Sequence, residues 1–184
     1  MYKIIAIIGE AGAGKDTVMR EVVKKMPGLH EIVSCTTRPK REGEKEGANY
    51  FYLTPDEFAG KVLNGEMLEA TSFNNWFYGT ALQSLDETVI NIGVFNPAGI
   101  EALLSSPIVD VTVYRVCASE KNRLLRQLNR EENPNVREII RRFKADDEDF
   151  LDLEFEYVEL KNDTYDDFER AVKMIVCQLE TSGA

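Results

Sequence analysis

The sequence predicts an α/β fold in three layers, α/β/α, around a parallel sheet, with a small β-rich insertion and a helical segment late in the chain. Three observations carry this. Strand-like apolar runs alternate with helical patterns along most of the chain, the order that a parallel sheet covered on both faces requires. The first run, Lys3 to Ile8, is almost continuously apolar and rich in Ile, as a central strand must be. A glycine-rich stretch, GEAGAGKDT (9–17), then separates that strand from the first helical pattern.

The elements follow in order. After the glycine-rich stretch a helix runs from about Lys15 to Met26 and stops at Pro27-Gly28. Glu31 to Cys35 reads as a second strand, and TTRPKREGEKEGA as a polar, charged loop. NYFYLT is a short strand that leads into a helix with a complete start signal: Thr54 as cap, Pro55 in first position and Glu57 closing a capping box. That helix ends near Asn64-Gly65. EMLEATSF, NN and WFYGT read as a hairpin, so the alternation breaks from Asn49 to Tyr78 and marks the insertion. Thr88 to Phe95 reads as a buried strand, Pro97 to Leu104 as a helix and Ile108 to Val116 as a strand. Two arginine-rich helices follow, about Ser119 to Glu131 and Val136 to Phe150. Val136, Ile139, Ile140 and Phe143 form an apolar stripe on the second. A strand near Tyr157 to Leu160 and a helix from about Tyr165 to Leu179 complete the pattern.

With 184 residues, 43% hydrophobic and 29% charged, the chain suits one ordinary globular domain with a full core. A net charge of -10 disfavours a nucleic-acid backbone or an anionic membrane as main partner. A small anionic ligand stays open, because basic side chains cluster at Arg38 to Arg41 and again from Arg123 to Arg142. Cys35, Cys117 and Cys177 are widely spaced with no CxxC pair, which fits reduced thiols in the cytoplasm. His30 stands alone, so a histidine-based metal site is not expected. The run Ile4 to Ile8 is too short for a membrane span or a signal-peptide core.

The stretch from Gly9 to Thr17 has the chemistry of a phosphate-binding loop. Its glycines let backbone N–H groups converge on phosphate oxygens, and the following helix presents its positive end. Gly9, Ala11, Gly12, Ala13, Gly14, Lys15, Asp16 and Thr17 are the candidate phosphate contacts. Lys15 reaches for the terminal phosphates, and a hydroxyl helps to hold Mg²⁺. The usual pattern has Ser or Thr directly after the lysine, where this chain has Asp16; Thr17, one place on, supplies the hydroxyl. The plainer alternative is a glycine-rich turn without a ligand.

At SCTTRPKREGEKEGANYFYLTPDEF, and again at FNNWFYGT, the chain resembles guanylate kinase. The likeness covers nearly the whole length, densest from Ile4 to Thr80 and thinner around Arg126 to Arg142. It implies a P-loop kinase fold: a core (1–33, 81–125 and 151–184), a GMP-binding insertion (34–80) and a mobile helical lid (126–150). The implied reaction is ATP + GMP giving ADP + GDP, with Mg²⁺ accompanying ATP. By position, Ser34, Glu69 and Thr80 match residues that read the guanine base. Arg38, Arg41, Tyr50 and Tyr78 match those that hold the monophosphate. In the lid the resemblance favours Arg130 and Arg142 as catalytic arginines beside Lys15 and Arg38, with Arg126 and Arg141 as further candidates. Asn162 and Asp163 match a region that contacts adenine. The substrates implied are ATP and GMP or dGMP, for a monomer or homodimer with neither nucleic acid nor membrane as partner.

The chemistry of the residues agrees with those roles. Guanine offers N1–H and N2–H₂ as adjacent donors and O6 as acceptor; a carboxylate at Glu69 accepts both donors, and the Ser34 and Thr80 hydroxyls can donate to O6. Adenine would leave the carboxylate unpaired. Two arginines among tyrosines suit a phosphate dianion, through guanidinium forks and phenol donors. Each residue also has a plain reading: a solvated strand carboxylate for Glu69, loop charges for the arginines, core aromatics for the tyrosines. For the lid arginines it is surface ion pairs with Glu131 and Glu138, worth little. Phosphoryl transfer needs no covalent intermediate or general base; it depends on positioning, charge neutralisation and the exclusion of water.

The chain departs from the family in TVINIGVF, where acidic residues are expected and Asn91 and Gly93 stand. The stretch from Thr80 to Thr88 is also short. Two readings of Asp16 follow. It favours the helix dipole, or it restores a charge lost at positions 91 and 93 and, with Thr17, holds hydrated Mg²⁺. Two other functions compete: a broader deoxynucleoside monophosphate kinase, and a non-catalytic guanylate-kinase-like binding module. Such modules lose the phosphate loop, which is intact here.

Overall fold

The computed structural model of the chain describes residues 1–40, 43–73 and 75–181. They fall into two compact units: Met1–Ile5 with Leu29–Gly93 and Ala98–Val111, and Ala6–Gly28 with Val94–Pro97 and Thr112–Ala184. A five-stranded sheet carries β1 (Tyr2–Ile8), β2 (His30–Glu31), β7 (Asn91–Val94), β8 (Val109–Cys117) and β9 (Val158–Lys161), in the order β2-β7-β1-β8-β9. Pairs β2–β7 and β8–β9 are parallel, and helices lie on both sides of the sheet, as the alternation in the sequence requires. From Ile4 to Ile8 every residue of β1 is buried.

The first unit also holds a four-stranded sheet, β4-β3-β6-β5, made of β3 (Cys35–Thr36), β4 (Phe51–Tyr52), β5 (Met67–Phe73) and β6 (Trp76–Ala81). Strands β5 and β6 form the expected antiparallel hairpin, with Glu69 opposite Thr80 and Asn75 at φ 62° in the turn. Helix α2 (Pro55–Leu63) starts with the full capping box: the Thr54 hydroxyl accepts the Glu57 N–H at 3.2 Å, and the Glu57 carboxylate accepts the Thr54 N–H at 2.7 Å. Phe58 from this helix packs with Cys35 and Ala81, flanked by Leu53 and Met67, and stacks on Phe77.

In the second unit, α1 (Lys15–Lys25) buries Val18, Met19 and Val22 and packs against α6 (Tyr165–Thr181), which buries Ala171, Val172, Ile175 and Leu179. The Tyr114 hydroxyl on β8, otherwise enclosed, donates to Gln178 of α6 at 2.7 Å. Helices α4 (Glu120–Leu128) and α5 (Val136–Asp149) pack together. Helix α3 (Pro97–Leu104), which from Ala98 onward belongs to the first unit, buries Ile100 and Leu103 completely.

Three expectations change. The single strand Glu31–Cys35 is two: Ile32 N–H still donates to Ile92 in the parallel sheet, but Cys35 and Thr36 pair with β4 and β6. The run Glu-Ile-Val-Ser-Cys carries neither Gly nor Pro, so nothing in it marks where the backbone changes sheet. Strand β7 begins at Asn91 rather than Thr88, because Asp86 draws both the N–H and the hydroxyl of Thr88 into a turn. The stripe on α5 is only partly covered: Ile139 is buried, whereas Val136 and Ile140 are half exposed.

Candidate functional site

In the second unit the glycine-rich loop leaves β1 and enters α1 through backbone that side-chain-bearing residues disfavour. Gly12 has φ 83° and Gly14 φ 96°, both in the left-handed region. The Gly14 carbonyl accepts the first helical bonds, from Thr17 and Val18 N–H, each at 3.0 Å. Several side chains collect the loop's other carbonyls. Arg123 Nε donates to Ala11 at 3.1 Å, and Arg126 Nη1 donates to Gly12 at 3.2 Å and Ala13 at 3.1 Å. Asn162 Nδ2 donates to Ala13 at 2.7 Å, and Arg126 Nη2 also holds the Asn162 carbonyl. In a trans peptide the C=O and the next N–H point in opposite directions. Drawing the Ala11 and Ala13 carbonyls one way therefore turns the N–H groups of Gly12 and Gly14 the other way. That is the donor arrangement an anion requires. Asp16 and Thr17 are exposed in the first turn of α1, next to Lys15.

The remaining candidates of this unit fall in four places. Arg126 and Asn162 brace the loop from behind. Asp163 is tied to the start of α4, accepting from Ser119 N at 2.7 Å, Ser119 Oγ at 2.6 Å and Asn122 Nδ2 at 2.8 Å, which holds its carboxyl below the usual range. Arg141 Nε donates to Glu138 at 2.8 Å and Arg142 Nε at 2.9 Å, and these two bonds, Arg141 foremost, hold that carboxyl at about 2. Arg130 is exposed, just past the end of α4.

In the first unit, Arg38 is 5% exposed although it lies in a charged loop. Its Nη2 donates to both oxygens of Glu44, at 2.8 and 3.0 Å, and its guanidinium lies 5.5 Å from the Tyr50 ring and 5.8 Å from that of Tyr52. Tyr78 meets Tyr50 edge-on with centroids 6.1 Å apart, so the structure gathers Arg38, Tyr50 and Tyr78 into one cluster. Arg41 lies outside the described residues. The sequence did not single out Glu44 and Tyr52. The Tyr52 hydroxyl donates to Glu44 at 2.7 Å, and burial, then this bond, push its pKa to about 12. The alternation of Tyr50 and Tyr52 in NYFYLT was the available signal, since residues two apart share a strand face.

Glu69 is 8% exposed, on β5 opposite the fully buried Thr80 of β6. Burial pushes its pKa up to about 7, against a smaller downward pull from Thr80. The Thr80 hydroxyl makes no hydrogen bond of good geometry. Ser34, half-buried, lies one residue before β3, and its carbonyl accepts Phe51 N–H at 2.9 Å. A buried carboxylate and a buried hydroxyl with unused capacity are suited to a polar planar ligand.

Asn91, where an acid was expected, is completely buried and fully engaged. Its amide donates to the carbonyls of Asp86 at 2.8 Å and Lys3 at 3.3 Å, and its oxygen accepts Asp86 N–H at 2.8 Å. It organises the turn before β7, with its amide donors spent on that turn and on β1.

The fold and the glycine-rich loop define a P-loop α/β protein. A family model described as guanylate kinase matches residues 1–179, and the chain belongs to the guanylate kinase family. A guanylate kinase of Thermotoga maritima is 43% identical over 91 residues, 50% of this chain and 44% of that protein. One of Chlorobium luteolum is 37% identical over 87 residues, 47% of this chain and 44% of that protein. The matched region thus spans a little under half the length of these relatives. The crystal structure of guanylate kinase from Anaplasma phagocytophilum superposes with a TM-score of 0.70 over 98% of this chain and 86% of that one; at 20% identity this speaks for the fold. Among the described residues no helix is long and apolar enough to cross a membrane.

Proposed function

We propose that the chain is a guanylate kinase that transfers the γ-phosphoryl group of ATP to GMP or dGMP. The observation that carries this reading is the buried pair Glu69 and Thr80, in the same unit as the Arg38, Tyr50 and Tyr78 cluster. The Glu69 carboxylate accepts guanine N1–H and N2–H₂, and Thr80 and Ser34 hydroxyls face O6. Arg38, with Arg41, Tyr50 and Tyr78, holds the monophosphate, and Glu44 keeps the Arg38 fork in place. Residues 34–80 are the GMP-binding insertion and 126–150 the lid.

ATP lies along Gly9 to Thr17 with its phosphates on the N–H groups of Gly12 and Gly14, and Lys15 neutralises charge on the transferred group. A phosphate oxygen of GMP attacks the γ-phosphorus as the bond to ADP breaks, with Arg130 and Arg142 supplying positive charge. Arg142 reaches that role by leaving Glu138, an ion pair of low cost to open. Mg²⁺ would neutralise phosphate charge, and the exposed hydroxyl of Thr17 and carboxylate of Asp16 fit a hard cation that keeps water and phosphate oxygens as its other ligands. We place the enzyme in the cytoplasm, consistent with three unbridged cysteines.

A coupled assay of ADP release over a panel of nucleoside and deoxynucleoside monophosphates tests the reading. Turnover with GMP or dGMP and little with AMP, CMP or UMP is the expected result. Comparable rates with several bases would replace it by a broader kinase. ATP binding without turnover on any of them would replace it by a binding module.

A further inference from the structure

Ala11, third in the glycine-rich loop, has both backbone polar groups held by side chains from helices far away in sequence. Its N–H donates to Asp146 Oδ2 at 2.7 Å, and its carbonyl accepts Arg123 Nε at 3.1 Å. The two side chains are themselves joined, Arg123 Nη2 to Asp146 Oδ2 at 2.7 Å. Arg123 comes from α4 and Asp146 from the last turn of α5, and they are 7% and 8% exposed. The Arg123 guanidinium also lies 4.6 Å from the Phe143 ring centroid. A cβ on Gly12 would meet the Arg123 carbonyl oxygen at 2.5 Å, so the loop backbone rests against α4 as well.

Stability alone is a poor reason for this pair. Taking two charges out of water is costly, and apolar side chains of similar volume in their place are often as good or better. Burial indeed pushes the Asp146 carboxyl up, opposed by the Ala11 N–H, Arg123 and Lys15. The effect on the loop is more specific. Two consecutive peptides, Glu10–Ala11 and Ala11–Gly12, are fixed in orientation, and the second sets the direction of the Gly12 N–H. A glycine-rich loop left free loses much conformational entropy when a phosphate orders it.

We propose that Arg123 and Asp146 are positioning residues, a clamp that sets the glycine-rich loop in its phosphate-binding shape before ATP arrives. This rests on the reading of that loop as the ATP site. Neither side chain touches a substrate; both act through Ala11.

The test compares wild type with Arg123→Met/Asp146→Leu, which removes the pair without leaving a lone buried charge. Arg123→Lys is the second variant: it keeps a positive charge for Asp146 but lacks the second donor that reaches Ala11. Three readouts are taken: thermal midpoint, hydrogen exchange at the Ala11 amide in nucleotide-free protein, and ATP affinity by calorimetry alongside the KM values. The clamp predicts that the double variant melts at or above the wild-type temperature, yet exchanges Ala11 N–H faster. Its ATP Kd should rise by about tenfold to a hundredfold, the scale of a misplaced binding group, with the KM for GMP unchanged. Arg123→Lys should show a smaller rise of the same kind, and it decides the matter if the double variant does not fold. Folded variants with wild-type ATP affinity would overturn the proposal and leave the pair purely structural. A wild type that binds ATP but does not phosphorylate GMP would overturn the proposed reaction, while the affinity comparison still decides the clamp. A wild type that binds no ATP overturns both.

Discussion

The side-chain amide of Asn162 donates to the Ala13 carbonyl at 2.7 Å and passes so close to Gly14 that any Cβ there would collide with it. Asn162 is 5% exposed, and its own carbonyl is held by Arg126. The asparagine is thus a wedge beneath the loop.

Gly14→Ala should therefore be costly on two counts. The left-handed φ of 96° costs a residue with a Cβ about 1–2 kcal/mol, and the collision breaks the bond to Ala13. Urea denaturation should show a loss of about 2 kcal/mol or more. Adding Asn162→Ala should recover only the collision, because the backbone strain persists. Full recovery in the double variant would show that the strain at Gly14 is unimportant.

Glu69→Gln should separate function from stability. The amide accepts one guanine donor but turns its own NH₂ toward the second, so kcat/KM for GMP should fall by about 2–4 kcal/mol in free-energy terms. AMP should lose much less. Stability moves in the opposite sense. The folded pKa of about 7 lies above the usual 4.5, so the native state binds the extra proton between those values and stability falls as pH rises through that window. The shift corresponds to a penalty of order 3 kcal/mol above pH 7. Glu69→Gln should raise the melting temperature at pH 8 and leave it nearly unchanged at pH 4.5. If the anionic carboxylate is the acceptor for guanine, GMP should bind the wild type more tightly as pH rises from 6 to 8. Equal losses for GMP and AMP would remove the base-reading role.

How much of this was legible beforehand depends on whether the signal is local. The α2 capping box, the β5–β6 hairpin and the glycine-rich loop are written in neighbouring residues, and each is present as expected. The switch of sheet between Glu31 and Cys35 is not, because partners outside the run, on β4, β6 and β7, decide it. The same holds for Arg123 and Asp146. On α4 and α5 they read as two more charges in arginine-rich and acid-rich helices, and only the fold brings both to Ala11. The register of Glu69 with Thr80 was legible too, since both lie in one run that folds back on itself as a hairpin.

On the proposed reading Lys15 neutralises charge that develops at the transferred group, so Lys15→Met should reduce phosphoryl transfer from ATP to GMP by several orders of magnitude with the fold intact. Lys15 is partly exposed at the first position of α1, so its loss leaves no buried gap. Single-turnover measurements at saturating substrates isolate the chemical step. A near wild-type rate would remove the phosphate role of the loop.

Asn91→Asp should destabilise strongly and restore nothing. The side chain is fully buried and its amide donates to the carbonyls of Lys3, Asp86 and Val89. A carboxylate there would face those oxygens without a donor of its own, at a cost of about 3–5 kcal/mol for an uncompensated buried charge. The expected result is a large drop in denaturation midpoint at pH 7 that narrows as pH falls and the new carboxyl is protonated. A midpoint equal to wild type would mean that the turn at Asp86 re-forms around the charge.

Asp16 is the remaining question, and magnesium answers it. The carboxylate is exposed at the second residue of α1, where the positive end of the helix favours it by a few tenths to about 1 kcal/mol. If that is its whole role, Asp16→Ala should lower stability slightly and leave the magnesium dependence of the rate where it was. If it helps to hold hydrated Mg²⁺ beside Thr17, the same change should raise the Mg²⁺ concentration needed for half-maximal rate, with little change in melting temperature without nucleotide. Coulomb repulsion gives a second sign to read: without metal, removing a carboxylate near the phosphates should tighten ATP binding. Because Asn91 is tied into its turn, no compensation from that position intervenes, and the single variant suffices. A magnesium titration at saturating ATP and GMP that superimposes on wild type leaves Asp16 as a helix-start residue. A curve displaced to higher magnesium, with Thr17→Val displaced in the same direction, assigns both side chains to the metal.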